Sequence, residues 1–126
     1  MSIALTVAKA SYCKNKQVGA ILVKDDNIIA IGYNGTISGY PNNCEDCNGK
    51  TYDHVLHAET NAIAKCSRSN NSSDNSILYV TLSPCFECAK IILQSGIKKV
   101  VYLEEYRNTE GLNLLKQTIN VQQFFF

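Results

Sequence analysis

Residues 18–33 read VGAILVKDDNIIAIGY, two runs rich in β-branched residues on either side of a polar triplet, Asp25 to Asn27. Apolar runs separated by a short polar turn are typical of a β-hairpin. We therefore predict strands over residues 18–24 and 28–33, joined by a tight turn.

Helical and extended patterns alternate outside this hairpin. The predicted helices cover residues 2–13, 57–67, 85–95 and 109–118, and further strands are expected at ILYVT (77–81) and at the start of KKVVYLEEY (98–106). INVQQFFF, residues 119–126, fits either an edge strand or a tail, and residues 34–53 lack periodicity, which is typical of a functional or metal-tied loop. The alternation predicts an α/β fold, a three-layer α/β/α sandwich around a central mixed five-stranded sheet, in one domain over residues 1–126.

Composition restricts the class of protein. The chain has 126 residues, is 45% hydrophobic and 18% charged, and carries a net charge of +1, values typical of a single globular domain. The longest apolar runs are too short for a membrane span, and the apolar N-terminus lacks the flanking features of a secretory signal. The near-zero charge argues against a nucleic-acid duplex or an anionic membrane as partner. We therefore expect a soluble, cytoplasmic protein with a small-molecule substrate.

Six cysteines are many for this length, and their even number fits a disulfide framework as one interpretation. Without a secretory signal a reducing compartment is expected, where clustered cysteines are more often metal ligands or catalytic groups. Cys66 follows NAIAK on a predicted helix and is interpreted as a core residue. The others are Cys13, Cys44, Cys47, Cys85 and Cys88.

Two predicted helices begin with residues that can bind a metal ion. HVLHAETNAIAKC, residues 54–66, contains His57 near the start of one helix, and Cys85 and Cys88 open the next as Cys-x-x-Cys after a proline. Cys-x-x-Cys alone also fits a redox dithiol or half of a zinc knuckle. One imidazole and two thiolates, however, leave the fourth position of tetrahedral zinc open for water, as in catalytic sites.

Glu59 lies two residues after His57. Its carboxylate is therefore expected beside the metal, where it could act as a general acid and base. The alternative is an ordinary acidic residue that interacts with the dipole of the first helical turn.

His57-Ala58-Glu59 and Pro84-Cys85-Phe86-Glu87-Cys88 match the signature of the zinc nucleobase deaminases, and the chain is identified as a member of the cytidine deaminase superfamily. Further blocks resemble the deoxycytidylate (dCMP) deaminases over about residues 14–115: QVGAILVKDDNIIAIGYNG, HAETNAI, YVTLSPCFECAK and GIKKVVYLEEY. The resemblance implies a cytidine deaminase-like fold and a single zinc-dependent cytidine/deoxycytidylate deaminase domain.

The same resemblance implies hydrolysis of dCMP to dUMP and ammonia, which supplies dUMP for thymidylate synthesis. It implies that His57, Cys85 and Cys88 are the ligands of a catalytic Zn²⁺. Glu59 matches the residue that moves a proton from the zinc-bound water to ring N3 and then to the departing amine.

Three residues match substrate-binding positions of the family. Asn34 matches the residue that orients the sugar and base, Tyr106 the aromatic residue that lies against the nucleotide, and the Ala58 N–H the group that receives the pyrimidine carbonyl. Asn34 before Gly35 also suits a plain turn, and Tyr106 also suits the core. Basic residues that could bind the 5′-phosphate are Lys14, Lys16 and Arg107.

A second zinc ion is a further expectation. Cys13 and Cys44 match cysteines that some dCMP deaminases use in a structural zinc site. Cys47 and His54 would complete a Cys/His tetrad, which is the ligand set of a closed structural site. An inert or partly free set of side chains is the alternative.

Regulation and assembly are also implied by the resemblance. Many dCMP deaminases are hexamers activated by dCTP and inhibited by dTTP, and their GYNG segment contributes to the effector site, so Gly32, Tyr33 and Gly35 are the corresponding residues. The short loop between Gly39 and His54 departs from the family pattern, as does Ile37, where relatives commonly have Pro. This compact chain has therefore either retained or lost the regulation.

Other functions share parts of these motifs. A deaminase of free cytosine, of a nucleoside or of tRNA adenosine would have the same zinc signature, but GYNG and YLEEY favour a nucleotide enzyme. A non-catalytic zinc-binding module on nucleic acid would need basic and aromatic patches that the sequence lacks. A redox protein using Cys85 and Cys88 would tolerate loss of His57.

Overall fold

A two-residue turn joins the first two strands. The computed structural model describes residues 1–126, and both Asp25 and Asp26 have positive φ, 51° and 63°, the backbone of a type I′ turn. Strands β1 (Gly19–Lys24) and β2 (Asn27–Tyr33) pair antiparallel on either side of it. The predicted hairpin is confirmed, because each strand begins within one residue of its predicted start.

Strand–helix units complete the sheet. The order is β2-β1-β3-β4-β5, with β1 antiparallel to both neighbours and β3, β4 and β5 mutually parallel. The predicted mixed five-stranded sheet is therefore confirmed, and the C-terminal segment forms one of its edge strands. None of the helices is both long and apolar enough to cross a membrane. The remaining strands are β3 (Ile77–Leu82), β4 (Lys99–Glu104) and β5 (Asn120–Gln123), and the helices are α1 (Ser2–Ala8), α2 (Ala58–Ser67), α3 (Phe86–Gln94) and α4 (Glu110–Lys116).

Helix α1 is shorter than the predicted helix over residues 2–13, because it ends at Ala8. The segment that follows is held by contacts distant in sequence. The Ser11 hydroxyl donates a hydrogen bond to the main-chain oxygen of Asn34 at 2.7 Å, and Cys13 is buried. These tertiary contacts outweigh the local helical spacing.

Helices α1 and α2 cover opposite faces of the sheet. A Cβ on Gly19 would collide with the backbone of α1, and one on Gly32 would collide with the backbone of α2. Ala20 pairs with Gly32 across the hairpin, and successive residues of a strand point to opposite faces. Because α2 contacts α3 and α3 contacts α4, these three helices share one layer, and the predicted three-layer sandwich is confirmed.

The main core lies between the sheet and the layer of α2, α3 and α4. Apolar side chains from all three helices and from the central strands form one buried cluster there. Its largest fully buried members are Leu22, Leu78, Val80, Ile92, Ile97, Val100, Leu112 and Leu115.

The long loop between β2 and α2 is pinned at its base. Gly35 and Leu56 exchange two main-chain hydrogen bonds, of 3.1 and 2.8 Å. The pairing returns the chain to the end of β2 and sets His57 at the start of α2. Helix α3 begins just after the C-terminal end of β3. The starts of α2 and α3 therefore lie at the same edge of the sheet, where β2 and β3 end.

Candidate functional site

His57, Cys85 and Cys88 meet where α2 and α3 begin. Nδ1 of His57 lies 3.3 Å from Sγ of Cys88 and 3.5 Å from Sγ of Cys85, and all three ligand atoms lie within 4.8 Å of one another. Zinc bonds of about 2.0–2.1 Å to nitrogen and about 2.3 Å to sulfur place two ligands of one tetrahedron about 3.5 Å apart. The observed separations therefore fit a zinc ion held by these three side chains.

The positions of the ligands on the helices explain their convergence. His57 and Cys85 are the N-cap residues of α2 and α3, with extended backbone at ψ 155° and 172°. Cys88 lies in the first turn of α3, where the Thr60 hydroxyl contacts its sulfur at 3.5 Å. The unpaired N–H groups of both first turns favour negative charge on the sulfur atoms.

Contacts among the three side chains shift the pKa of each. The hydrogen bond from the Cys88 thiol, and then that from His57, lowers the pKa of Cys85 to about 4. The contact with Cys85, together with burial, raises the pKa of Cys88. The hydrogen bond with Cys85 also raises the pKa of His57. Cys85 therefore has marked thiolate character, the form in which cysteine binds metals.

Glu59 is buried beside this cluster, with 4% of its surface exposed. Burial is the main cause that raises its pKa to about 7. A carboxyl group with such a pKa can both accept and donate a proton near neutral pH. The acidic residue at the corresponding position of α3, Glu87, is exposed instead.

A cavity of about 370 Å³ opens onto the cluster, within the range of small-molecule sites. Its lining includes His57, Glu59 and Cys85 as well as the basic residues Lys16 and Arg107. Lys14, the third basic residue considered from the sequence, does not line it. The remaining lining residues are Cys13, Asn15, Val18, Asn34, Glu45, Thr51, Val55, Leu82, Ser83 and Tyr106.

Asn34 lines the cavity and also joins two segments. Its Nδ2 donates to the main-chain oxygen of Lys16 at 2.7 Å, and its Oδ1 accepts from the Val18 N–H at 2.8 Å. One N–H and one lone pair of the amide remain available to a ligand. A role in substrate binding stays a prediction.

Tyr106 and Ala58 are the other two residues predicted to bind substrate, and of these only Tyr106 lines the cavity. Tyr106 is half-buried in the cavity wall, and its N–H donates to Oγ of the buried Ser83 at 2.6 Å. Ala58 is the first residue of α2, so its N–H has no partner within the helix.

Gly32, Tyr33 and Gly35, the predicted effector residues, do not line this cavity. Gly32 allows the close approach of α2, and Gly35 closes the base of the long loop. The ammonium group of Lys65 lies over the ring of Tyr33, 5.3 Å from the ring centroid.

The predicted Cys/His tetrad does not form. Cys13 and Cys44 are joined by a disulfide bond, so their sulfur atoms are not thiolates, and Cys47 is an exposed free thiol. His54 instead packs its ring against two tyrosines, Tyr40 and Tyr52. For this pair the favoured interpretation as metal ligands was wrong and the alternative of a disulfide holds, while Cys66 is buried in the core as predicted.

Sequence reasoning missed Glu45. Its carboxylate is buried and accepts hydrogen bonds from the N–H groups of Lys14 and Asn15. A single acidic residue in a loop has no periodicity, so only its position next to Cys44 could have drawn attention to it. Ser83 was missed for the same reason, although it precedes the Pro-Cys pair.

Comparison with known proteins gives a consistent result. A family model described as the cytidine and deoxycytidylate deaminase zinc-binding region matches residues 1–104. ComE operon protein 2 of Bacillus subtilis is 41% identical over 104 residues, which are 80% of this chain and 55% of that protein. Deoxycytidylate deaminase of Schizosaccharomyces pombe is 39% identical over 97% of this chain and 41% of its own length. The chain thus spans about half the length of these two relatives.

The fold matches a solved structure over nearly the whole chain. The crystal structure of dCMP deaminase from the cyanophage S-TIM5, in complex with dCMP and dUMP, superposes with a TM-score of 0.95 at 46% sequence identity. The match covers 98% of this chain and 92% of that one. The phage protein therefore has the same arrangement of sheet and helices as this chain.

Proposed function

Because this chain belongs to the cytidine and deoxycytidylate deaminase family, we propose that it hydrolyses dCMP to dUMP and ammonia, as one deaminase domain over residues 1–126. The observation that carries the proposal is the cluster of His57, Cys85 and Cys88 beside the buried carboxyl of Glu59, next to a cavity that His57, Glu59 and Cys85 help to line. The named dCMP deaminases among its relatives support the choice of substrate.

His57, Cys85 and Cys88 would hold a single catalytic Zn²⁺, since their separations fit one tetrahedron. When bound, the metal lowers the pKa of a coordinated water toward about 7 and so supplies a nucleophile at neutral pH. Both sulfur atoms must lose their protons to bind it, and the low pKa of Cys85 favours the loss at that residue.

Glu59 would move the protons of the reaction. Its carboxylate accepts one proton from the attacking water and donates it to ring N3, then takes the second proton from the new hydroxyl on C4 and donates it to the amino group. A bond from C4 to oxygen forms, the bond from C4 to the amino nitrogen breaks, and ammonia leaves. A placed acid–base group of this kind contributes about a hundredfold to ten-thousandfold in rate.

Other cavity residues would orient the nucleotide. We infer that the Ala58 N–H receives the pyrimidine carbonyl, that Asn34 uses its remaining amide hydrogen on the sugar and base, and that Tyr106 lies against the nucleotide. Lys16 and Arg107 are basic lining residues that suit the 5′-phosphate. Lys16 at present pairs with the Glu104 carboxylate at 3.1 Å, an exposed contact that a phosphate can replace at little cost.

We further propose that dCTP activates the enzyme and dTTP inhibits it, in a hexamer, through a site that includes Gly32, Tyr33 and Gly35. The resemblance of GYNG to the family's effector segment supports this, as does the cation that Lys65 places over the Tyr33 ring. The product dUMP would feed thymidylate synthesis, and the site of action would be the cytoplasm.

The decisive experiment is turnover of dCMP, dCTP, deoxycytidine and cytosine by zinc-loaded protein, followed by absorbance. Selective conversion of dCMP is expected. Addition of dCTP and dTTP to the same assay tests regulation, and sedimentation tests the hexamer. Activity on the free base, or on the nucleoside alone, would retain the zinc chemistry and refute the proposed substrate.

A further inference from the structure

Glu45 holds a buried carboxylate in the wall of the cavity, with 7% of its surface exposed. Oε2 accepts two main-chain hydrogen bonds, from Lys14 at 2.9 Å and from Asn15 at 3.2 Å. The preceding residue, Cys44, is cross-linked to Cys13. The carboxylate is therefore held by two hydrogen bonds to one of its oxygens, next to a cross-linked residue.

The second carboxylate oxygen is the free one. Both hydrogen bonds to Glu45 fall on Oε2, and no fully buried side-chain oxygen or nitrogen of this protein lacks a partner. Oε1 is therefore accessible, and Glu45 is one of the residues that line the cavity. An ionised carboxylate is an acceptor only, so Oε1 is suited to a ligand group that donates a hydrogen bond.

Charge and donor chemistry select that ligand group. A deoxycytidine monophosphate has two kinds of donor, the amino group on C4 and the 3′-hydroxyl. The amino group belongs at the metal ligands beside Glu59, and the phosphate belongs with Lys16 and Arg107, because a carboxylate repels it. The 3′-hydroxyl is the donor that remains for Glu45.

We propose that Oε1 of Glu45 accepts a hydrogen bond from the 3′-hydroxyl of the sugar and thereby restricts the enzyme to free mononucleotides. The inference rests on the proposed dCMP deaminase activity. A nucleotide linked or phosphorylated at O3′ has no hydrogen there to donate, and it brings a negative charge against the carboxylate. Glu45 would thus exclude DNA and RNA chains from a fold that also serves deaminases of other substrates.

The test compares kcat/KM of the wild-type enzyme for dCMP, for 2′,3′-dideoxycytidine 5′-monophosphate and for dCMP phosphorylated at O3′. Loss of a hydrogen bond to a charged group is expected to reduce kcat/KM for the dideoxy compound about tenfold to hundredfold, mainly through KM. The 3′-phosphorylated compound is expected to react more slowly still.

The variant Glu45→Gln separates charge from size, because the two side chains have nearly the same shape. It is expected to raise the ratio of kcat/KM for the 3′-phosphorylated compound to that for dCMP at least tenfold. The matched control is Glu110→Gln, because Glu110 is an exposed carboxylate outside the cavity. This variant is expected to leave the ratio unchanged.

Two results would overturn the inference. One is equal kcat/KM, within about twofold, for dCMP and the dideoxy compound, a comparison that requires no variant. The other is an unchanged ratio in folded Glu45→Gln protein. If dCMP itself is not converted, the proposed function fails and this inference falls with it, whereas normal dCMP turnover without discrimination refutes the role of Glu45 alone.

Discussion

His57 and Cys85 occupy helix N-cap positions, where Ser, Thr, Asp and Asn are the preferred residues. Neither side chain makes a capping hydrogen bond, and loss of a cap costs about 0.5–2 kcal/mol of helix stability. Their metal-binding atoms point at each other instead. Such local exceptions to helix preferences are expected at functional sites.

Substitution Glu59→Ala is expected to reduce kcat for dCMP at least about a hundredfold, because the proton carrier is removed. Bound zinc, measured by elemental analysis, should stay at the wild-type level, since Glu59 is not one of the three ligands. Glu87→Ala is the matched control, because Glu87 holds the same position in the first turn of α3 with its side chain 76% exposed. Near wild-type turnover by Glu59→Ala would contradict the assigned role.

Zinc content distinguishes the two groups of cysteines. Cys88→Ser is expected to lose the bound metal, because a serine hydroxyl is a poor substitute for a thiolate ligand. Cys47→Ser should bind as much zinc as the wild type, since Cys47 is exposed and lies outside the cluster. Measured stoichiometry should be one zinc per wild-type chain, and a loss caused by Cys47→Ser would contradict this assignment.

At the scale of elements, α4 braces the start of α3. A Cβ on Gly111 would lie 2.6 Å from the carbonyl carbon of Cys85, closer than unbonded atoms approach. The backbone of α4 therefore rests directly on the residue that caps α3 and supplies a metal ligand. Glycine is required there for space rather than for its backbone freedom.

Gly111→Ala is expected to weaken zinc binding and reduce kcat, because the added methyl group must push Cys85 out of the cluster. On helix propensity alone the change would stabilise α4 by about 1 kcal/mol, so destabilisation would identify the steric effect. Asn113→Ala, an exposed position of the same helix, is the control. For both variants, zinc titration would measure metal affinity and thermal unfolding would measure stability. Wild-type zinc affinity in Gly111→Ala would refute the bracing role.

At the scale of the whole molecule, the segment after α1 is fastened to the loop after β2. The Cys13–Cys44 disulfide spans 31 residues, Glu45 adds its two hydrogen bonds, and the Asn15 amide donates to Gly49 and Thr51 at 2.8 and 3.0 Å. Together these contacts fix one wall of the cavity.

Reduction of this disulfide is expected to lower the free energy of unfolding by about 3–4 kcal/mol, the entropy of closing a loop of that length. Urea unfolding with and without a phosphine reductant, at constant zinc, would measure the change. Cys13→Ser should be equally destabilised in both conditions, while Cys47→Ser should respond as the wild type does. An unchanged midpoint for the wild type would show that the thiols are not paired in solution.

The sequence predicted what depends on local pattern and on the family motifs. The hairpin followed from two apolar, β-branched runs on either side of Asp25 to Asn27, and the metal cluster followed from residues that begin two helices. The pairing of Cys13 with Cys44 could not be derived, because it joins two aperiodic segments and competes with metal binding by the same side chains. The early end of α1 depends on a hydrogen bond from Ser11 that only the folded chain provides.

The long connection between the hairpin and β3, which contains the loop after β2 and helix α2, influences the order in which the molecule folds. A hairpin closed by a two-residue turn forms in about 1–10 μs, whereas strands that are distant in sequence pair more slowly because the loop between them must first close. His57 precedes β3 and Cys85 follows it, so the metal ligands meet only after β3 has joined β1. A refolding chain that has completed only its hairpin has no zinc site, and metal uptake should therefore lag behind formation of the first strands.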